Sequence, residues 1–175
     1  MRLHKAFAAL LPLGIAACGS EASRDPVGPT SLGTATTYRA ASATRTVSIR
    51  GTVETSETDI YQPETNTLLV HMTGTGVASH LGRFTLVDDG VASLTTGVGT
   101  GNVTYTAADG SAITGTASGA AAIVGDIAEI ADTITITGGT GRFAGAVGVL
   151  TANRRLDLNT LLSSGSFDGT INLPK

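Results

Sequence analysis

Three histidines, one cysteine and 14 carboxylates are the main chemistry-bearing side chains of this 175-residue chain, and their spacing excludes most reactions. His4, His71 and His80 share no His-x-x-x-His spacing and lie beside neither Cys18 nor a close set of carboxylates, so no metal site is expected. No Gly-x-Ser-x-Gly elbow occurs, and no hydrolytic triad can be assembled from sequence proximity. Asp88, Asp89, Asp109 and Asp168 lie next to or near glycine, which reads as turn capping rather than general acid–base work. His80 is the polar residue that stands out. Period-2 alternation places it with Gly82, Phe84 and Leu86; if that face lines a lumen, His80 lies near its mouth, with Phe84 and Tyr105 as ligand contacts inside. A histidine bonded to a neighbouring carbonyl is the plainer reading of the same residue. Arg83 and Arg142, each in Gly-Arg-Phe, read as turn braces rather than anion grips.

The element that would have to position such groups is the glycine-dense stretch Thr137 to Gly148. Thr133-Ile134-Thr135-Ile136-Thr137 alternates before it as a half-buried strand does, and Val147, Val149 and Leu150 resume an extended pattern after it. Gly138, Gly139, Gly141, Arg142, Phe143 and Gly145 form the expected structural turn, with glycine supplying positive φ. A dinucleotide loop is a competing reading, but Gly145 comes one residue late and no amphipathic helix follows. A Walker loop is excluded, since the only lysines are Lys5 and Lys175.

Alternation predicts strands through Val47–Glu54, Leu68–Met72, Leu81–Val87, Val91–Thr96, Val103–Ala107, Ala112–Ala117, Thr133–Thr137, Gly148–Leu156 and Gly165–Leu173. Ser56–Asn66, with Pro63, reads as a loop or weak edge strand. Asp88-Asp89-Gly90 and Asp109-Gly110 read as hairpin turns. Ile123–Ile130, apolar on both faces, leaves helix and strand open. Glycines 99, 101, 115 and 119 mark bends or bulges rather than a ligand cradle. This order of short strands without a long crossover is that of an antiparallel meander.

Two stretches carry a resemblance. Gly-Gly-Thr-Gly-Arg-Phe-Ala-Gly-Ala from Gly138, with the later Gly169-Thr170-Ile171, resembles the allene oxide cyclase and dirigent barrel superfamily, as does the run from Gly74 to Thr85. The resemblance spans roughly residues 45 to 173. It implies an all-β fold, a small antiparallel β-barrel of about eight strands. It further implies relatives that shape a reactive intermediate in an apolar lumen or steer radical coupling, yet none of their acidic or phenolic working residues can be matched here.

The chain begins with a different kind of sequence. Residues 1–17 read as a secretory signal, with Arg2 and Lys5 ahead of an apolar run too short to span a bilayer. Ile15-Ala16-Ala17-Cys18 resembles a bacterial lipobox, which makes Cys18 the expected lipidation site; as the only cysteine it can form no intrachain disulfide. Residues 18–44, rich in Ser, Thr, Pro and Gly, read as a flexible tether holding the domain roughly 25 to 30 Å from the membrane. Residues 45–175 make one β-barrel domain. Lipoprotein sorting rules, by resemblance, favour the outer membrane of a Gram-negative host because Gly19 follows the cysteine.

Charged residues are only 14% of the chain, against a typical figure of about 25%. Losing Arg2 and Lys5 with the signal lowers the 11 basic residues to 9 against 14 acidic, a mature charge of −5. That balance argues against nucleic acid or an anionic membrane as a partner. The expected protein is therefore an exported, lipid-anchored barrel that binds a small apolar molecule or an envelope component without catalysis and without a cofactor. An isomerase or cyclase acting through cavity shape, and a purely structural envelope protein, are the alternatives.

Overall fold

A computed structural model describes residues 44–175. The signal peptide, Cys18 and the tether lie outside the described residues, apart from Thr44, where the first strand begins. Eight strands follow: β1 Thr44–Gln62, β2 Thr67–Ala78, β3 Gly82–Ser93, β4 Val98–Ala107, β5 Ala112–Val124, β6 Ile127–Gly139, β7 Val147–Asp157 and β8 Leu162–Pro174. Each pairs antiparallel with the next, and β8 pairs with β1, closing the barrel. The expected all-β barrel of eight strands is what forms. Closure leaves no unpaired sheet edge.

The barrel has two unlike ends. The start of β1, the end of β8 and the turns β2–β3, β4–β5 and β6–β7 make the lower end; the remaining turns make the upper one. In the lower half the inward positions are apolar and almost completely buried: Ile49, Ile113, Ile136, Leu150 and Ile171 surround a cluster of three aromatic rings. Phe84 meets Tyr105 at 5.6 Å and Phe167 at 5.7 Å, both edge to face, and Tyr105 lies 5.4 Å from Phe167. Such pairs contribute about 0.5–1.5 kcal/mol beyond their burial. Gly76 on β2 leaves the space that the Phe84 ring occupies.

The glycine-dense turn closes this end. Gly141–Phe143 is a single 3-10 turn, flanked by left-handed backbone at Gly141 (φ 58°) and Gly145 (φ 72°), positions where a Cβ would be strained. Phe143 points up into the core, 1% exposed. Arg142 stands over the Phe143 ring at 4.8 Å, pairs with Asp109, and donates from Nη2 to the carbonyls of His80 (3.1 Å) and Leu81 (3.2 Å). It is a brace, tying three turns together across the end of the barrel.

Three local expectations are settled or corrected. Of the two readings of Ser56–Asn66 the edge strand holds as far as Gln62, the upper third of β1, paired with β2 throughout but with β8 only as far as Ser56; Pro63 lies in the turn beyond it, where its missing N–H costs nothing. Asp88-Asp89-Gly90 is not a hairpin but the middle of β3, and the reversal comes later, at residues 94–97, with Gly97 at φ 71°. Ile123–Ile130 is neither one helix nor one strand. It is the β5–β6 hairpin, turning at Gly125 (φ 63°). Asp109-Gly110 does turn as expected, with Asp109 Oδ1 accepting from the Ser111 N–H at 3.0 Å.

Candidate functional site

Following each strand upward, the inward period-2 positions change chemistry. On β1 the face Val47, Ile49, Val53 continues as Thr55, Glu57, Asp59; on β3 Phe84 and Leu86 are followed by Asp88; on β6, read upward, Ile136 and Ile134 lead to Asp132. Leu150 and Ala152 on β7 lead to Arg154, and Ile171 and Phe167 on β8 lead to Ser163. Alternation cannot be broken without breaking the barrel, so these polar groups must enter the lumen. They meet there around one guanidinium. Arg154 pairs with Glu57, and its Nε lies 3.6 Å from Asp132 Oδ2, an electrostatic contact too long for a hydrogen bond. Thr55 and Ser163 share a 2.5 Å hydrogen bond beside the pair.

Between Asp88 on β3 and Asp132 on β6 the wall carries few other inward side chains. Gly90 and Ala92 on β3, Gly99 and Gly101 on β4, and Gly119 on β5 all face inward. A Cβ at Gly101 would collide with the Asp88 carboxylate and one at Gly119 with that of Asp132. The glycines expected to mark bends therefore make room for acids, while Gly115 sits at the one register shift of the β5–β6 ladder, where the bulge reading holds. In the lower half inward residues are nearly sealed from solvent, whereas Asp59, Asp88, Asp132, Arg154, Gly101 and Gly119 are only part-buried. The upper half of the lumen is a polar cup whose glycines and most of its charged groups are only part-buried, while Glu57, Ala128 and Leu156 beside them are buried.

Its electrostatics are unbalanced. Four carboxylates, Glu57, Asp59, Asp88 and Asp132, face one cation, and Asp59 Oδ1, Asp88 Oδ1 and Arg154 Nε have no hydrogen-bond partner among the described residues. Burial is the largest influence on all four acids and pushes each upward, Arg154 opposing it. Asp88 is raised to about 6 by burial, reinforced by Asp132, Asp89 and Glu57. Burial, with Asp88 and Asp132 nearby, likewise holds the Tyr105 phenol in its protonated form. Four acids against one base leave the upper lumen net negative near neutral pH, with Asp88 the acid raised furthest toward it. No group of three or more metal-ligating side chains occurs among the described residues.

A depression of about 1250 Å³ is lined by Glu54, Thr75, Thr85, Glu129 and Arg155 together with Val53, Phe84 and Arg154. The first five of these residues point away from the lumen, and the Arg155–Glu129 ion pair there is exposed on both sides.

The structure brings Phe84 and Tyr105 together but leaves His80 apart from them. Phe84 and Tyr105 are in the lumen, as alternation indicated, but they fill its lower half rather than line a cavity. His80 sits in the β2–β3 turn at φ 63°, exposed at the end sealed by Phe143 and Leu81. Reading it on the lumen face extended the alternation past the end of β3. His71 does have a carboxylate neighbour, Asp89 across the β2–β3 ladder at 2.6 Å, on the solvent side. Among the four lumen acids, Asp88 is hidden by the turn reading of acids near glycine, and Glu57 and Asp59 by the loop or edge-strand reading of Ser56–Asn66. Their signal was the period-2 continuation Val53-x-Thr55-x-Glu57-x-Asp59 and Phe84-x-Leu86-x-Asp88.

No protein-family model matches the sequence, and no curated protein matches it. Solved structures that match the fold include the pterocarpan synthase dirigent proteins GePTS1 and PsPTS1, each 15% identical. The first superposes with a TM-score of 0.56 over 75% of this chain and 87% of its own; the second with 0.55 over 75% and 97%. At that identity the likeness speaks for architecture alone, and with the closed eight-strand antiparallel topology it shows that this chain carries a dirigent-like β-barrel.

Proposed function

We propose that the protein is a binding barrel whose upper cup takes a small molecule with an ammonium or hydroxyl head on a compact apolar body. One observation carries the reading: Gly101 and Gly119 leave room in the upper lumen for the carboxylates of Asp88 and Asp132, and carboxylate oxygens of Asp59 and Asp88 are left unpartnered. A buried acceptor without a donor costs about 1–3 kcal/mol, so a ligand that supplies the donor recovers that cost on binding. The apolar ligand expected from the sequence becomes an amphipathic one, because the apolar half of the lumen is already filled.

A matched pair of probes tests this. Tyramine and 4-hydroxyphenylacetate have the same ring and similar length but opposite charge. Tyramine should shift the backbone NMR signals of Gly99, Gly101 and Gly119 and the acid should not; Asp88→Asn with Asp132→Asn should abolish the shifts, and His80→Ala should leave them. Equal response to both probes would defeat the reading. A second reading, an isomerase or cyclase, is favoured by Asp88, raised to about 6 beside the lumen, and by the synthase activity in the names of the two structural neighbours. Asp88→Asn would then remove turnover of a bound compound while leaving its binding.

The same proposal places the barrel in the cell envelope, exported and tethered through acylated Cys18. Intact mass of a membrane fraction should show acyl chains on Cys18, lost in Cys18→Ser.

A further inference from the structure

The net charge of the mature chain hides a segregation along the barrel axis. At the lower end stand Arg45, Arg50, Arg83, Arg142 and Lys175, against Asp109 and Asp168. The rest of the barrel carries Arg154 and Arg155 against Glu54, Glu57, Asp59, Glu64, Asp88, Asp89, Asp126, Glu129, Asp132 and Asp157. A molecule negative as a whole therefore presents one positive end.

We propose that this lower end is a second binding surface, which lies against an anionic phospholipid surface and seats a phosphate headgroup among Arg45, His80, Arg142 and Lys175. These four side chains, with Phe143, Leu173 and Pro174, line a cavity of about 370 Å³. The polar lining faces apolar residues, the pairing that an interfacial headgroup and the first carbons of its chains require. Arg142 is partly neutralised by Asp109, but Arg45, Arg50, Arg83 and Lys175 have no carboxylate partner among the described residues. An unpaired cation on a surface is available to a phosphate.

Chain direction supplies the second argument. Thr44, where β1 begins, is at this same end. Any attachment made by the residues before it therefore leads away from the basic face, while the acidic cup lies at the opposite end. Near an anionic surface the two ends experience opposite forces. Attraction acts on the lower end within about a Debye length and repulsion on the upper, so the charge polarity orients the barrel with its cup outward. The net charge read from composition argued against such a partner; the axial distribution reverses that argument for one face.

The test uses the full chain carrying Cys18→Ser, so that acylation contributes nothing, sedimented with phosphatidylcholine vesicles made with and without phosphatidylglycerol. The chain should bind the anionic vesicles more tightly than the neutral ones, and added salt should erase the difference. Arg45→Ala and Lys175→Ala should each weaken binding to the anionic vesicles by about fivefold, with melting unchanged because both side chains are exposed. Arg155→Ala, which removes a cation from the other half, should leave the preference intact. Equal binding to both compositions would overturn the proposal. So would an equal loss in Arg155→Ala and Arg45→Ala, since net charge alone would then govern binding. Stabilisation by inorganic phosphate that Arg45→Ala abolishes, without any vesicle preference, would assign the cavity to a soluble anion and overturn the membrane assignment.

Discussion

Two halves of one lumen, built by the same eight strands, follow opposite rules. In the lower half, inward positions carry Ile49, Phe84, Tyr105, Ile136 and Phe167, each at most 4% exposed, and three aromatic rings close the space. In the upper half the same register brings in Glu57, Asp132 and Arg154 from β1, β6 and β7, and Asp88 from β3 among the glycines of β3, β4 and β5. The lower half therefore holds the barrel together, and the upper half is arranged at some cost to stability. Burying four acids against one base is unfavourable unless a ligand, a proton or water completes the set.

Removing the central cation should make the largest difference between the halves. Arg154→Met leaves the four lumen carboxylates without a counter-charge and should destabilise by about 3–5 kcal/mol, the usual effect of breaking a buried pair. Adding Glu57→Gln, Asp88→Asn and Asp132→Asn to that variant should restore most of the loss. In the lower half Phe167→Ala should cost a similar amount, about 3–5 kcal/mol, through a cavity in the aromatic cluster, and no neutralisation should rescue it. Urea melts of the two series decide the matter: rescue in both, or in neither, would erase the proposed difference.

Protonation should distinguish the halves next. The folded-state values of Glu57, Asp59, Asp88 and Asp132 are all raised, Asp88 to about 6 from 3.8. A raised value contributes stability that is fully present below the unfolded value and is lost as pH rises through the folded one. The barrel should therefore be more stable near pH 4 than near pH 7, by about 2 kcal/mol once partial solvent access is discounted. Asp109, whose value is lowered by its bonds to Ser111 and by Arg142, acts in the opposite direction but is fully exposed. Asp88→Asn should flatten much of the profile. A wild-type stability that rises steadily from pH 4 to pH 7 would contradict the charged-cup description.

The same contrast explains what could be read in the sequence. The fold was legible because its lower half obeys apolar alternation: Ile134, Ile136, Phe167 and Ile171 are recognisable as inward from their neighbours alone, and all are buried. The glycine-dense turn was legible because left-handed backbone selects glycine at 141 and 145. The cup was not. A strand whose buried face carries Glu57 and Asp59 looks like a loop, and Asp88-Asp89-Gly90 has the composition of a hairpin until Leu86 below it and Ala92 above it are assigned to one face. Charge inside a barrel violates the rule by which strands are recognised, so the site was hidden by the feature that makes it a site. Likewise the Arg142 brace to His80 and Leu81 depends on bringing together turns some 60 residues apart, a proximity that spacing does not contain.

The smallest expected effect sharpens the comparison most, because it separates stability from binding. Gly99 faces the cup from β4, and a Cβ there would meet Val91 O at 3.6 Å and Ala92 Cβ at 3.7 Å, ordinary contacts. Its φ is outside the left-handed region, since it is absent from the positive-φ residues. Gly99→Ala should then stabilise the barrel by about 0.4–1 kcal/mol, chiefly through the entropy of the unfolded chain, and raise Tm by about 2 to 4 °C. At Gly101 or Gly119 the same change should destabilise, because the new methyl would displace the Asp88 or Asp132 carboxylate. If this glycine is kept bare for a ligand, Gly99→Ala should lose tyramine-induced shifts while gaining stability, the trade expected where a site is retained against the interest of the fold. A Gly99→Ala barrel that is more stable and binds as before would mean that the occupant of the cup never reaches β4, and the ligand would have to be sought against the charged wall of β1, β6 and β7 alone.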